Sequence, residues 1–83
     1  MLSATAHFFP RDLQGGAVGA DVKLLQALLV QEVGYPSNLV TGFFGRATKA
    51  AVKLLQQKYN IAPNFGYVGP ATRNTLKALI SSF

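Results

Sequence analysis

Few side chains in this sequence could carry out covalent or acid–base chemistry. The 83 residues include no cysteine, one histidine (His7) and three carboxylates: Asp12, Asp21 and Glu32. The lack of cysteine excludes thiol catalysis, disulfides and cysteine-bearing zinc sites, and a single histidine excludes a two-histidine metal site. No nucleophile–base pair or carboxylate couple stands out, and His7 is interpreted as incidental. The sequence therefore predicts no catalytic residue, no metal, no cofactor and no enzymatic activity of its own.

Basic side chains are the second informative group. Eight Lys and Arg against three acidic residues give a net charge of +5. Such a balance favours attraction to polyanions, which include nucleic acid, anionic lipid surfaces and wall polymers with carboxylates and phosphates. The apolar runs are short and interrupted, so we expect no membrane span. The first residues lack the pattern of a secretion signal, so we expect an intracellular protein or an excised or mature piece of a longer chain.

Three segments with helical periodicity must position these side chains. The composition, 49% hydrophobic and 13% charged, is typical of a folded single domain. Apolar spacings predict helices over about 20–33, 46–60 and 70–82. Residues 1–18 show no sustained period and are predicted to form an arm that packs on the core. The predicted fold is all-α, a compact three-helix bundle that occupies residues 1–83 as one domain.

A repeated turn–helix unit is the strongest pattern in the chain. When the chain is shifted by 24 residues, residues 42–55 lie over residues 66–79 with six identities in 14 positions. Each unit begins with Gly–aromatic–apolar–Gly, at residues 42–45 (the first turn) and 66–69 (the second turn). We expect the first glycine of each turn to adopt positive φ and the apolar residue to enter the core. The pentapeptide Val-Lys-Leu-Leu-Gln at 22–26 also recurs at 52–56.

These segments resemble the motifs of the peptidoglycan-binding-like domains. Residues 19–29 are similar to the G-x-D-V-x-x-L-Q-x-x-L opening of that family. Residues 41–56 resemble its T-G-x-F-G-x-x-T-x-x-A-V-x-x-F-Q centre, with Leu55 where the family often has Phe, and residues 66–73 resemble its G-x-V-G-P-x-T-R ending. The resemblance covers about residues 9–79.

This resemblance implies a non-catalytic three-helix module that binds the bacterial cell wall. Its partner would be peptidoglycan, through the glycan strand or the stem peptide, and a covalently linked wall-active enzyme is expected. The implied location is extracellular, periplasmic or associated with the cell wall. The alternative is a basic helical nucleic-acid-binding domain. Against it, the basic residues spread over two helices and no recognition-helix motif is present.

The predicted ligand-binding residues lie at the two turns and at the helix starts. Phe43 and Tyr67 precede the residue that enters the core, so they should face solvent and offer flat surfaces to sugar rings or stem peptides. Tyr35 is expected to join them, and the basic side chains could receive carboxylates or phosphates. Local packing of the aromatics and an ordinary solvated basic face are the alternatives. The predicted set is Tyr35, Phe43, Arg46, Lys49, Tyr67, Arg73, Asn74 and Lys77.

Five polar residues at helix starts or on apolar helix faces are interpreted as structural. Gln26 and Gln56 end the two copies of the pentapeptide and are expected to bond backbone groups of the adjacent loop. Thr48 and Thr72 are expected to bond free amides at the starts of their helices. Asp21 is expected to face the positive end of the first helix dipole.

Overall fold

The computed structural model describes residues 8–82, which fold into a domain built on three α-helices. Helix α1 spans Ala20–Val33, α2 spans Arg46–Lys58 and α3 spans Pro70–Ser81. A 3-10 turn at Ser37–Leu39 lies between α1 and α2. Extended pairing in the described part is limited to two isolated bridges, Leu13–Val68 and Val18–Phe43. The all-α class is therefore confirmed.

Two helices end earlier than the sequence predicts. Helix α2 stops at Lys58 rather than at residue 60, because Asn60 adopts a left-handed φ of 55° that does not continue a helix. The amide of Ile61 then donates to the carbonyl of Gln56 (2.8 Å), which closes the helix end. Helix α3 stops at Ser81, one residue before the predicted limit. His7 lies outside the described residues.

The apolar faces of the helices and the described part of the arm, residues 8–18, form one core. Residues 1–7 of the predicted arm lie outside the described residues. Helix α1 packs against both α2 and α3. The core side chains that are 0% exposed are Phe9, Leu13, Val22, Leu25, Leu29, Phe44, Val52, Leu55, Val68 and Leu76. The residues predicted to enter the core from the two turns, Phe44 and Val68, are thus fully buried. No helix among the described residues is both long and apolar enough to cross a membrane.

The arm is bonded to both turns through its backbone. Leu13 exchanges two hydrogen bonds with Val68 of the second turn, at 3.0 and 2.8 Å. Further along, Gly16 donates to the carbonyl of Phe44 and Phe44 donates to the carbonyl of Ala17, both at 2.9 Å. The arm therefore runs past both turns and satisfies backbone groups that no helix satisfies. Both turns are therefore tied to the arm by backbone hydrogen bonds.

Candidate functional site

A buried glutamine of α1 holds the first turn. Oε1 of Gln26 accepts hydrogen bonds from the amides of Thr41 and Gly42, both at 2.9 Å. Its Nε2 donates to the carbonyl of Phe43 (2.8 Å) and to the hydroxyl of Thr48 (3.0 Å). Gln26 is 0% exposed, so these bonds satisfy an amide that water does not reach. The predicted bonding of Gln26 to its adjacent loop is confirmed.

Gln56 of α2 makes the same arrangement at the second turn. Its Oε1 accepts from the amide of Gly66 (3.0 Å), and its Nε2 donates to the carbonyl of Tyr67 (2.8 Å) and the hydroxyl of Thr72 (3.1 Å). The structural unit of the repeat is therefore a helix whose glutamine holds the following turn. Gly42 and Gly66 adopt φ of 86° and 85°, as the sequence predicts for both turns.

The sequence predicts that the hydroxyls of Thr48 and Thr72 bond the amides at the helix starts, but the structure shows other partners. Instead each accepts a hydrogen bond from the glutamine of the preceding helix, Gln26 or Gln56. The prediction is wrong because a buried glutamine amide carries two donor hydrogens, and the backbone carbonyl of the turn uses one of them. The threonine uses the other.

Tyr35 lies in the core rather than in a ligand-facing loop. Its side chain is 6% exposed, and its hydroxyl donates to the carbonyl of Leu39 (2.9 Å) and lies 3.1 Å from that of Thr48. The expectation of an exposed ring is wrong because α1 ends in a left-handed Gly34, φ 75°, which turns the chain back over the core. The Tyr35 hydroxyl is therefore bonded within the fold, beside the glutamine that holds the first turn.

The two turn aromatics face solvent. Phe43 is 53% exposed and Tyr67 is 44% exposed. They differ in their polar contacts, because the hydroxyl of Tyr67 donates to Oδ2 of Asp12 (2.7 Å). This hydrogen bond to a carboxylate is the main reason why the pKa of the Tyr67 phenol is raised. The Tyr67 ring is therefore anchored to the arm at its outer edge, an anchor that Phe43 has no hydroxyl to form.

Arg73 is paired within the fold and is half-buried. Its Nε forms an ion pair with Oδ1 of Asp12 at 3.0 Å, and the side chain is only 23% exposed. A second guanidinium nitrogen donates to the carbonyl of Phe9 at 3.4 Å. Arg73 is therefore a partner of the arm, whereas Arg46 is exposed.

A groove with a volume of about 550 Å³ opens beside the second turn and the start of α3. Its walls include Ile61, Pro63, Phe65, Tyr67 and Pro70. Tyr67 alone among the predicted site residues lies in this wall. Phe65, 69% exposed, is the residue that sequence reasoning missed, because it directly precedes the aligned part of the repeat. An aromatic ring among Pro and Asn just before the turn glycine is the signal that could have indicated it.

Two lysines of α2 pack against the second turn. A Cβ built on Gly66 would lie 2.6 Å from Cγ of Lys49 and 3.4 Å from Cγ of Lys53. Both lysines are exposed. The structure thus brings Lys49, predicted from the sequence, and Lys53, not included in that set, to the turn that carries Tyr67.

The remaining predicted residues lie on the other helix starts and on α3. Arg46, the first residue of α2, and Asn74 of α3 are exposed. Lys77 is half-buried on α3. The structure does not bring these three residues to the wall of the groove.

The other charged contacts brace the fold. Arg11 pairs with Asp21 (2.8 Å), and their hydrogen bond is the main cause of the lowered pKa of Asp21. Asp21 also accepts from the amide of Val22 (3.0 Å), in keeping with its expected place at the helix start. In residues 8–82 no group of three or more acidic, His or Cys side chains is placed to hold a metal ion.

Comparisons with known proteins agree with this architecture. Residues 18–76 match the family model described as "Putative peptidoglycan binding domain". The zinc D-Ala-D-Ala carboxypeptidase of Streptomyces albus G is 39% identical over 71 residues, which cover 81% of this chain and 26% of that protein. The chain therefore spans about a quarter of the length of this relative.

A solved structure described as the SleB N-terminal domain has the same fold. Its TM-score is 0.77 at 33% identity, over 87% of this chain and 96% of that one. The predicted resemblance and binding function are confirmed, and the comparisons do not support the nucleic-acid alternative. With its three motifs, its three helices and the match over residues 18–76, the chain belongs to the peptidoglycan-binding domain family.

Proposed function

We propose that this domain is a non-catalytic module that holds an attached wall-active enzyme at peptidoglycan. Family membership supports the binding role. The attached enzyme is supported by the Streptomyces relative, whose name describes a carboxypeptidase and of which this chain matches about a quarter. Such a protein would act at the cell wall, in the extracellular or periplasmic space.

The groove beside the second turn is the surface that we propose for the ligand. The observation that carries this proposal is a cavity of about 550 Å³ whose wall includes Phe65 and Tyr67, which are 69% and 44% exposed. Its volume falls within the usual range of ligand pockets, about 300–1,000 Å³. Flat aromatic and proline faces suit the apolar faces of sugar rings and the methyl groups of stem peptides. Because the contact is shallow, we expect one domain to bind weakly.

Co-sedimentation with purified insoluble sacculi tests this proposal. Phe65→Ala removes a ring that is 69% exposed, so it should weaken sedimentation and leave the fold unchanged. Tyr67→Ala should weaken sedimentation as well. Phe43→Ala is the matched control, because Phe43 occupies the position of Tyr67 in the first turn and is 53% exposed. Thermal unfolding monitored by circular dichroism verifies that each variant is folded.

An amide-shift titration with soluble muropeptides locates the contact surface independently. We expect shifts in residues 61–72, which include the wall of the groove. If the wild-type domain does not sediment with sacculi, the proposed function is wrong. If Phe43→Ala weakens binding as much as Phe65→Ala does, the proposed location is wrong.

A further inference from the structure

All three acidic side chains of the sequence form ion pairs within the chain. The pairs are Arg11–Asp21 (2.8 Å), Lys58–Glu32 (3.1 Å) and Arg73–Asp12 (3.0 Å). They use three of the eight cationic side chains. The other five have no carboxylate partner among residues 8–82: Lys23, Arg46, Lys49, Lys53 and Lys77. The net charge of +5 is therefore carried by side chains whose counter-ions must come from outside the described fold.

The aliphatic stems of two of these side chains, Lys49 and Lys53, lie against the second turn. The Cγ atoms of Lys49 and Lys53 both lie against Gly66, and three bonds separate each Cγ from its ammonium group. The two lysines are four residues apart on α2, a spacing at which like charges repel and destabilise a helix. An anion bound between them would remove this repulsion. The missing side chain of Gly66 leaves the space in which their stems lie.

The repeat shows that this cation pair is particular to the second turn. In the repeated pentapeptide Lys53 corresponds to Lys23, whose Cβ lies 4.0 Å from the Cβ position of Gly42 in the first turn. At the same offset of 30 residues, Lys49 corresponds to Gly19, whose carbonyl oxygen lies 3.4 Å from that position. The first turn therefore has one lysine where the second has two. The second turn is also the one beside the groove.

We infer that Lys49 and Lys53 bind carboxylates of peptidoglycan stem peptides while Phe65 and Tyr67 contact an uncharged part of the same polymer. The inference rests on the proposed function, and it names the charged ligand of that site. A polymer with apolar faces and regularly placed carboxylates matches a turn that carries aromatic rings and is flanked by two lysines without a carboxylate partner. Phosphates of other wall polymers share the anionic charge, so the experiment must separate the two sources.

Three preparations of sacculi separate them. The first is untreated, the second is extracted with hydrofluoric acid to remove phosphate-bearing polymers, and the third is extracted and then amidated with ammonia and a carbodiimide to neutralise its carboxylates. The variants are Lys49→Gln, Lys53→Gln and their combination. Glutamine keeps the Cβ and Cγ atoms that contact Gly66, so the turn should remain folded. Lys23→Gln is the matched control, because it removes the same charge at the equivalent position of the first turn.

We expect the wild-type domain to bind the first two preparations equally and the amidated one more weakly. Each of Lys49→Gln and Lys53→Gln should weaken binding to extracted sacculi by about two- to fivefold, the scale of an exposed ion pair. The combined variant should bind amidated and extracted sacculi equally. Lys23→Gln should behave like the wild type.

Three results would overturn the inference and leave the proposed function intact. They are an affinity that amidation does not change, a loss of binding on acid extraction, and an equal loss for Lys23→Gln and Lys53→Gln. The second would assign the anion to a phosphate polymer. The third would show that the lysines act only through the overall positive charge of the domain, wherever they lie. In each case Phe65→Ala still weakens binding. If no preparation binds the wild-type domain, both proposals are wrong.

Discussion

Replacing Gln56 by glutamate tests the contact on which the second turn depends. The two side chains have nearly the same size, so the substitution leaves the packing unchanged and exchanges the Nε2 donor for an oxygen. That oxygen would face the carbonyl of Tyr67, now 2.8 Å from Nε2, and the hydroxyl of Thr72 at 3.1 Å. Gln56 is 1% exposed. A carboxylate there would be desolvated beside an acceptor, whereas a protonated carboxyl could still donate to it.

The expected loss of stability follows from proton linkage. Burial and the facing carbonyl raise the folded-state pKa of the new carboxyl above its unfolded value of about 4.3. A group with a raised folded pKa keeps its contribution below the unfolded pKa and loses it as the pH rises through the folded pKa. If the folded pKa exceeds 7, the variant loses about 4 kcal/mol at pH 7 relative to its stability in acid. For a domain of this size, that lowers the melting temperature by about 15–30 °C.

Thermal unfolding of both proteins between pH 4 and pH 8 measures this effect. The stability of the wild type also depends on pH, because the pKa values of Asp21 and Glu32 are lowered in the fold. Protonation of these two carboxylates therefore removes stability as the pH falls below their unfolded pKa values of about 4. The informative quantity is therefore the difference between Gln56→Glu and wild type at each pH. Gln57→Glu, at an exposed neighbouring position, is the control, and its loss of stability relative to the wild type should not grow as the pH rises. If the two variants respond alike, Gln56 does not hold the second turn.

Two further substitutions test the turns. Gly66→Ala should destabilise the domain more than Gly42→Ala in urea unfolding, although φ is nearly the same at both glycines. At Gly66 the added Cβ would lie 2.6 Å from Cγ and 2.9 Å from the carbonyl oxygen of Lys49, whereas at Gly42 the nearest atom among those compared is 3.4 Å away. Equal losses of stability would contradict the close packing at Gly66. Asp12→Asn should lower the raised pKa of the Tyr67 phenol toward about 10 in an alkaline ultraviolet titration, because it removes the carboxylate that the phenol bonds; an unchanged titration would contradict that bond.

The helices and the turn glycines could be predicted from the sequence because both depend on residues close together in the chain. Apolar spacing indicates the three helices, and the Gly–aromatic–apolar–Gly pattern indicates turns with positive φ at Gly42 and Gly66. An inward glutamine next to a loop must find backbone partners, which predicts the role of Gln26 and Gln56. The three family motifs follow from the same local patterns.

The candidate site was decided by tertiary structure, because its contacts join residues far apart in the chain. Whether Tyr35 faces solvent depends on how the chain turns after Gly34, and the structure buries it. Asp12 meets Tyr67 and Arg73 only because the arm runs back along the second turn. Periodicity places a residue on a helix face, but the neighbour that this face meets is set by the packing of the whole chain. The groove wall at Phe65 and the lysines at Gly66 have the same origin.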